Sequence, residues 1–144
     1  MTEQNSNNHS RYVPLFHFIA YPAFAFALVV QVNYFIKALI AGSGRTQAAA
    51  MLSLVIAVGI VLWYARFFAL RAQDRAIRAE ENLRYFAITG NLMDSKLRLS
   101  QIIALRFAPN NEFVDLAHRA VTENLSSKQI KQAIQHWKAD HHRV

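Results

Sequence analysis

The chain has 144 residues, 53% hydrophobic and 17% charged, with a formal net charge of +7 and a pI near 10.1. So low a charged fraction is natural for a small membrane protein and uncommon for a soluble domain. Cysteine is absent, which excludes disulfides, thiolate metal sites and cysteine nucleophiles; the basic balance comes without any nucleic-acid-binding motif, so nucleic acid is not an expected partner.

Residues 1–11 read as a flexible polar tail. A membrane hairpin with a helical extension is expected over 12–88. "VPLFHFIAYPAFAFALVVQVNYFIKALI" (13–40) and "AAAMLSLVIAVGIVLWYARFFAL" (48–70) each supply the ~20 apolar residues that a bilayer core requires. "AGSGRTQ" between them is short, polar and glycine-bearing, as a tight helix–helix turn should be. Ala-Phe-Ala occurs at Ala23–Ala25, but apolar residues continue past it and Pro22 interrupts the run, so signal cleavage is not expected. Pro14 suits a first helical turn, whereas Pro22 frees the Phe18 carbonyl and predicts a kink.

Lys37 and Arg45 flank the turn, while Arg11, Arg66, Arg71, Arg75, Arg78 and Arg84 lie on the other side. The positive-inside rule therefore places both termini in the cytoplasm. Tyr12, Phe16 and Tyr21, with Trp63 and Tyr64, mark one interface, and Tyr34 and Phe35 the other. Arg66, Arg71, Arg75 and Arg78 form a basic collar suited to lipid headgroups or an acidic partner. His17, Gln31 and Asn33 are polar residues within the first span, ahead of Lys37. His17 stands about one turn inside, where it can snorkel or join a proton path. Gln31 and Asn33 can face the far interface, bond across helices or line a pore.

"YARFFALRAQDRAIRAEENLRYF" (64–86) follows with no breaker and is rich in helix formers, so the second span should continue as a rod ~24 Å beyond Leu70. Asp74/Arg78 and Glu80/Arg84 stand at i,i+4 in the favourable order. Ala65, Ala69, Ala72, Ala76, Ala79, Leu83 and Phe86 recur at alternating intervals of three and four, a coiled-coil seam. It can face a second copy or the chain's own C-terminal helices. Gly59, Ala48–Ala50, Ser53 and Ala57 allow close packing inside the membrane, within the hairpin or between copies.

Gly90–Asn91 should stop the rod, and a small unit of three short helices is expected over 89–144. Ser100 is the expected cap of "QIIALRFA", and Asn110 that of "NEFVDLAHRAVTENL", with Phe113, Leu116, Ala117, Ala120 and Val121 on one face. Ser126 and Gln129 form a capping box for "SKQIKQAIQHW", whose apolar face is Ile130, Ala133, Ile134 and Trp137. A core of ~45 residues is small alone and needs the rod or a second subunit. The fold class is therefore all-α: a transmembrane helical hairpin, its second helix extended into the cytoplasm, then a small three-helix bundle. The blocks "HSRYVPLFHF", "FALRAQDRAIRAEENLR", "QIIALRFA" and "IKQAIQHWKADHHRV" resemble, in order and over nearly the whole chain, a family of small bacterial two-span inner-membrane proteins of unknown function. The resemblance implies a bacterial inner-membrane location and brings no activity, substrate or catalytic residue.

His136 and Asp140 would share a face if the last helix continued, and with His141 and His142 they are weak metal candidates; no metal or cofactor is expected. The terminal "DHHRV" can dock on Glu80 and Glu81. P-loop, Gly-x-Ser-x-Gly, His-Glu-x-x-His and Rossmann fingerprints are all missing, so no catalytic residue is assigned. The expected function is a non-enzymatic scaffold that contacts membrane lipids and self-associates or joins a larger membrane complex. The alternatives are a homo-oligomeric channel or transporter, and a membrane-tethered metalloenzyme using the histidine-rich tail.

Overall fold

A computed structural model describes residues 13–140; the N-terminal tail, His9, Arg11, Tyr12 and the terminal His141–Val144 lie outside them. Among the described residues the chain is all-α, without strands. A π-helical stretch Leu15–Ala20 leads into α1 (Tyr21–Ala41), followed by α2 (Arg45–Thr89), α3 (Leu99–Leu105), α4 (Asn110–Thr122) and α5 (Ser127–Ala133). Two compact units result, one ending at Ala69 and one beginning at Leu70.

Leu15–Ala41 and Arg45–Thr89 are both long and apolar enough to cross a membrane. The expected disturbance at Pro22 takes the form of the π-helical turn before it. Tyr21 N–H bonds the Phe16 carbonyl, the i→i+5 pattern that relieves a helix which lacks a regular donor ahead.

In the first unit the half-buried or buried residues of α1 are Tyr21, Phe24, Leu28, Gln31, Phe35 and Ala38; those of α2 are Ala48, Leu52, Val55, Gly59, Leu62, Arg66 and Ala69. Both series step by three and four, the spacing of left-handed helix packing. They meet where the Phe24 ring covers Gly59, at a distance that any Cβ would violate, and where Gln31 Nε2 donates to the Ala48 carbonyl at 3.3 Å. Of the small residues expected to pack, Ala48 and Gly59 serve this contact; Ala49, Ala50, Ser53 and Ala57 are exposed.

The second unit is built on the end of α2. Gly90, at φ +73°, takes the left-handed turn that ends the helix, and its N–H bonds the Phe86 carbonyl at 2.8 Å. Its core joins Tyr85, Met93, Leu97, Ile102, Leu105, Phe113, Leu116, Ala117, Ala120 and Ile130. Helix α3 and the turn after it lie at the centre, where Ala104, Leu105 and Ala108 are fully buried. The predicted face of α4 is confirmed, with Val121 partly buried at its edge. Helix α2 joins this core through Tyr85 and also buries Ile77 and Glu81.

Three local expectations are corrected. Helix α3 begins at Leu99 with Arg98 as its N-cap, so Ser100 does not cap it. Helix α4 is preceded by Pro109, not capped by Asn110, whose Oδ1 instead accepts from Arg84 Nε at 2.9 Å. Helix α5 does have its Ser126–Gln129 capping box but stops at Ala133. The Gln135 and His136 N–H groups that would extend it bond the Glu112 carboxylate instead, at 2.9 and 3.0 Å, a charged acceptor that outcompetes a helix carbonyl. Trp137, freed from the helix, stacks on Phe107 with 4.5 Å between centroids.

Gln101 is 2% exposed. Its Nε2 donates to the carbonyls of Ala120 (3.1 Å) and Leu125 (2.8 Å), and its Oε1 accepts from Arg98 N–H at 2.8 Å. One side chain thus closes the start of α3 and the end of α4. Gln101→Met keeps the volume and orphans these groups. It should lower unfolding stability by roughly 2–3 kcal/mol, read as a lower denaturant midpoint from Trp137 fluorescence in a Trp63→Phe background.

Candidate functional site

Polar side chains concentrate in the second unit, where α2 meets the short helices. The Arg84 guanidinium donates to Glu81 Oε2 (3.0 Å), Asn110 Oδ1 (2.9 Å) and the Ala108 carbonyl (2.7 Å), and lies 4.1 Å from the Phe113 centroid. The expected Glu80–Arg84 pair gives way to Glu81–Arg84, because Arg84 points at the loop before α4 and Glu81 shares that side of the helix. Each of its three nitrogens is held by one bond, which makes Arg84 a clamp between α2 and the chain before α4.

Two clefts flank this clamp. The first, ~340 Å³, is lined by Tyr85, Thr89, Asn91, Asp94 and His118 among others, and the Tyr85 hydroxyl lies 3.1 Å from His118 Nε2. General base catalysis needs such a pair plus a group that orients the imidazole; the structure adds to it the Tyr85 ring itself, edge-on to His118. The second, ~310 Å³, is lined by Ile77, Glu80, Glu81, Arg106, Lys138 and Asp140. Arg106, 6% exposed, pairs with Asp140 at 3.1 Å. Three carboxylates stand against two basic groups here, which suits a structural contact better than an anion cradle. Lys138 and Asp140 line this cleft with Glu80 and Glu81, but Asp140 pairs with Arg106, and the rest of the terminal segment expected to dock on Glu80 and Glu81 lies outside the described residues.

The predicted site residues separate. Arg71, Arg75 and Arg78 of the collar are exposed and Arg66 is half-buried. Ala65, Ala72, Ala76, Ala79, Leu83 and Phe86 of the seam are exposed and Ala69 is half-buried. Within the second unit the short helices use the opposite face of α2, so the seam is not their docking surface. His17 Nδ1 lies 3.1 Å from Val13 N and 2.9 Å from Val13 O, and its ring is edge-on to Phe16; it closes the first helical turn. Gln31 bonds across helices, whereas exposed Asn33 bonds its own helix at Val29.

The metal half-site does not form. With α5 ended at Ala133, His136 pairs with Glu112 (2.7 Å) and Asp140 with Arg106; His141 and His142 lie outside the described residues. Among the described residues no group of three or more His, Asp or Glu could hold a metal ion.

The Glu112–His136 contact, the bonds of Gln101 to α4 and Leu125, and those of Arg84 to Ala108 and Asn110 carried no sequence signal, because each joins residues 19 to 26 positions apart. Burial alone would raise the Glu112 pKa. The N–H bonds from Gln135 and from the backbone and ring of His136 outweigh it and hold the carboxyl below its ordinary range. A carboxyl depressed in the folded state stabilises above its unfolded pKa and loses that stabilisation as pH falls through the folded value. Acidification below the ordinary carboxylate range should therefore loosen residues 134–138 first, seen as a change in Trp137 emission. Glu112→Gln should show the loosened emission already at neutral pH and a flatter acid profile.

No curated protein and no solved structure matches the chain. The model of one family of unknown function, DUF6526, matches residues 1–144. The match spans the apolar helices and the C-terminal unit alike, and by it the chain belongs to that family.

Proposed function

We propose that the chain is a non-enzymatic membrane scaffold that tethers a small folded helical unit to the lipid surface. One observation carries the reading: α2 runs without a break from Arg45 to Thr89, apolar in its first part and built into a packed unit at its end. Large apolar side chains are exposed around both long helices, among them Phe26 (72%), Ile40 (82%), Val61 (65%) and Trp63 (67%). Water would not tolerate that surface, and lipid would.

The three-residue connection between α1 and α2 and the Gln31–Ala48 and Phe24–Gly59 contacts support a transmembrane hairpin. Charge distribution supports cytoplasmic termini in a bacterial inner membrane. Exposed Arg71, Arg75 and Arg78 suit the headgroup level, at about 1 kcal/mol per basic residue near an anionic surface. A channel gains no support, since the structure has Gln31 and Asn33 each bonded to a backbone carbonyl of the chain.

Alkaline carbonate extraction of bacterial membranes should leave the chain in the pellet. The chain has no cysteine, so Ser43→Cys and Lys96→Cys give single labels. An impermeant maleimide should reach Ser43→Cys from outside the inner membrane and Lys96→Cys only after permeabilisation. Release by carbonate, or outside labelling of Lys96→Cys, would sink the reading.

A further inference from the structure

We infer that the outward face of α2 between Ala72 and Phe86 docks a second copy of this chain as a parallel two-stranded coiled coil. The inference rests on the membrane-scaffold reading and names the scaffold's partner.

Within the second unit α2 turns Ile77, Glu81 and Tyr85 inward, at 6, 7 and 6% exposure. Counting 100° per residue, the opposite side presents Ala72, Ala76, Ala79, Leu83 and Phe86. All five are exposed, Leu83 at 69% and Phe86 at 50%. Their intervals are four, three, four and three, so the surface left open by the fold repeats every 3.5 residues, as a two-helix seam must. The alanines let two backbones approach, and Leu83 and Phe86 supply apolar area that alanine lacks. The seam starts at Ala72, because Ala69 is half-covered in the other unit.

Charge selects the occupant and its direction. The register puts Ala76 and Leu83 at a, and Ala72, Ala79 and Phe86 at d. Arg75 then falls at g and Glu80 at the following e, both exposed. In a parallel pair, the g residue of one helix faces the e residue five positions later on the other. Arg75 of each copy therefore meets Glu80 of the second copy, twice per dimer by symmetry. Antiparallel pairing would set g against g and e against e, like charge against like. The next g and e positions are the neutral Asn82 and Ala87, which oppose nothing. Two copies that share one membrane orientation run parallel in any case. Glu80 also borders the cleft that contains Lys138, yet is exposed enough to turn outward.

The test uses the full chain in native membranes, with single cysteines at Leu83→Cys and Phe86→Cys on the seam and at Arg78→Cys, exposed but off it. Oxidation with copper phenanthroline should give disulfide-linked homodimers at both seam positions and several-fold less at Arg78→Cys. In the Leu83→Cys background, Arg75→Glu should cut the cross-linked fraction by roughly two- to five-fold, the scale of a surface ion pair made repulsive. Adding Glu80→Arg should restore it. Equal cross-linking at all three positions, no homodimer, or a band containing a different protein would each overturn the inference. Fractionation of the same samples separates the two readings. A chain in the membrane without a seam-specific dimer overturns the seam alone; a seam-specific dimer recovered from the soluble fraction overturns the membrane reading and keeps the seam.

Discussion

Tyr85 is where the second unit becomes possible. Helices of 7, 13 and 7 residues are too short to persist alone in water, and their apolar faces enclose little volume. Tyr85 reaches into their core, edge-on to Phe113 at 5.9 Å, with its hydroxyl on His118. Arg84 beside it bonds the loop before α4. The unit is thus not a bundle linked to a helix but a bundle that includes one, and the polar clamps and clefts exist because α2 supplies this wall.

The polar residues of that unit serve mostly to finish helix ends. Gln101 serves the end of α4 and the start of α3, and Arg84 the chain between α3 and α4. Glu112 takes the donors that α5 would otherwise use. Buried polar groups must be paired, and here the pairing finishes the helix ends. The same economy makes one side of α2 structural and leaves the other uncovered. A helix that ordinarily buries one stripe shows here a second apolar stripe, Ala72 to Phe86, opposite the first.

Much of this was legible locally. The Gly90 stop, the Ser126–Gln129 capping box and the α4 face all depend on residues within one or two turns. The two long apolar helices declared themselves by length alone. Ser100 and Asn110 misled because a capping residue type is common where a chain leaves a helix, and neighbouring backbone decides which residue takes the extended conformation. Arg98 took it before α3, and Pro109, already extended, took it before α4.

Within the apolar spans the inward stripe was hidden. Where nearly every residue is apolar, periodicity in hydrophobicity vanishes, and only size distinguishes Gly59 and Ala48 from their neighbours. The seam at Ala72 to Phe86 was visible as spacing, but its vacancy was not, since two faces of α2 compete for the short helices and only packing chooses between them.

Composition and local pattern therefore determined the class, the helices, the Gly90 stop and the apolar spans, because those follow from the backbone and nearest neighbours. Tertiary structure decided which side of α2 was covered, where α5 ended and which charges paired. Those outcomes depend on contacts such as Arg84–Asn110 and Glu112–His136, between residues 26 and 24 positions apart, whose energies exist only once the chain has brought them together.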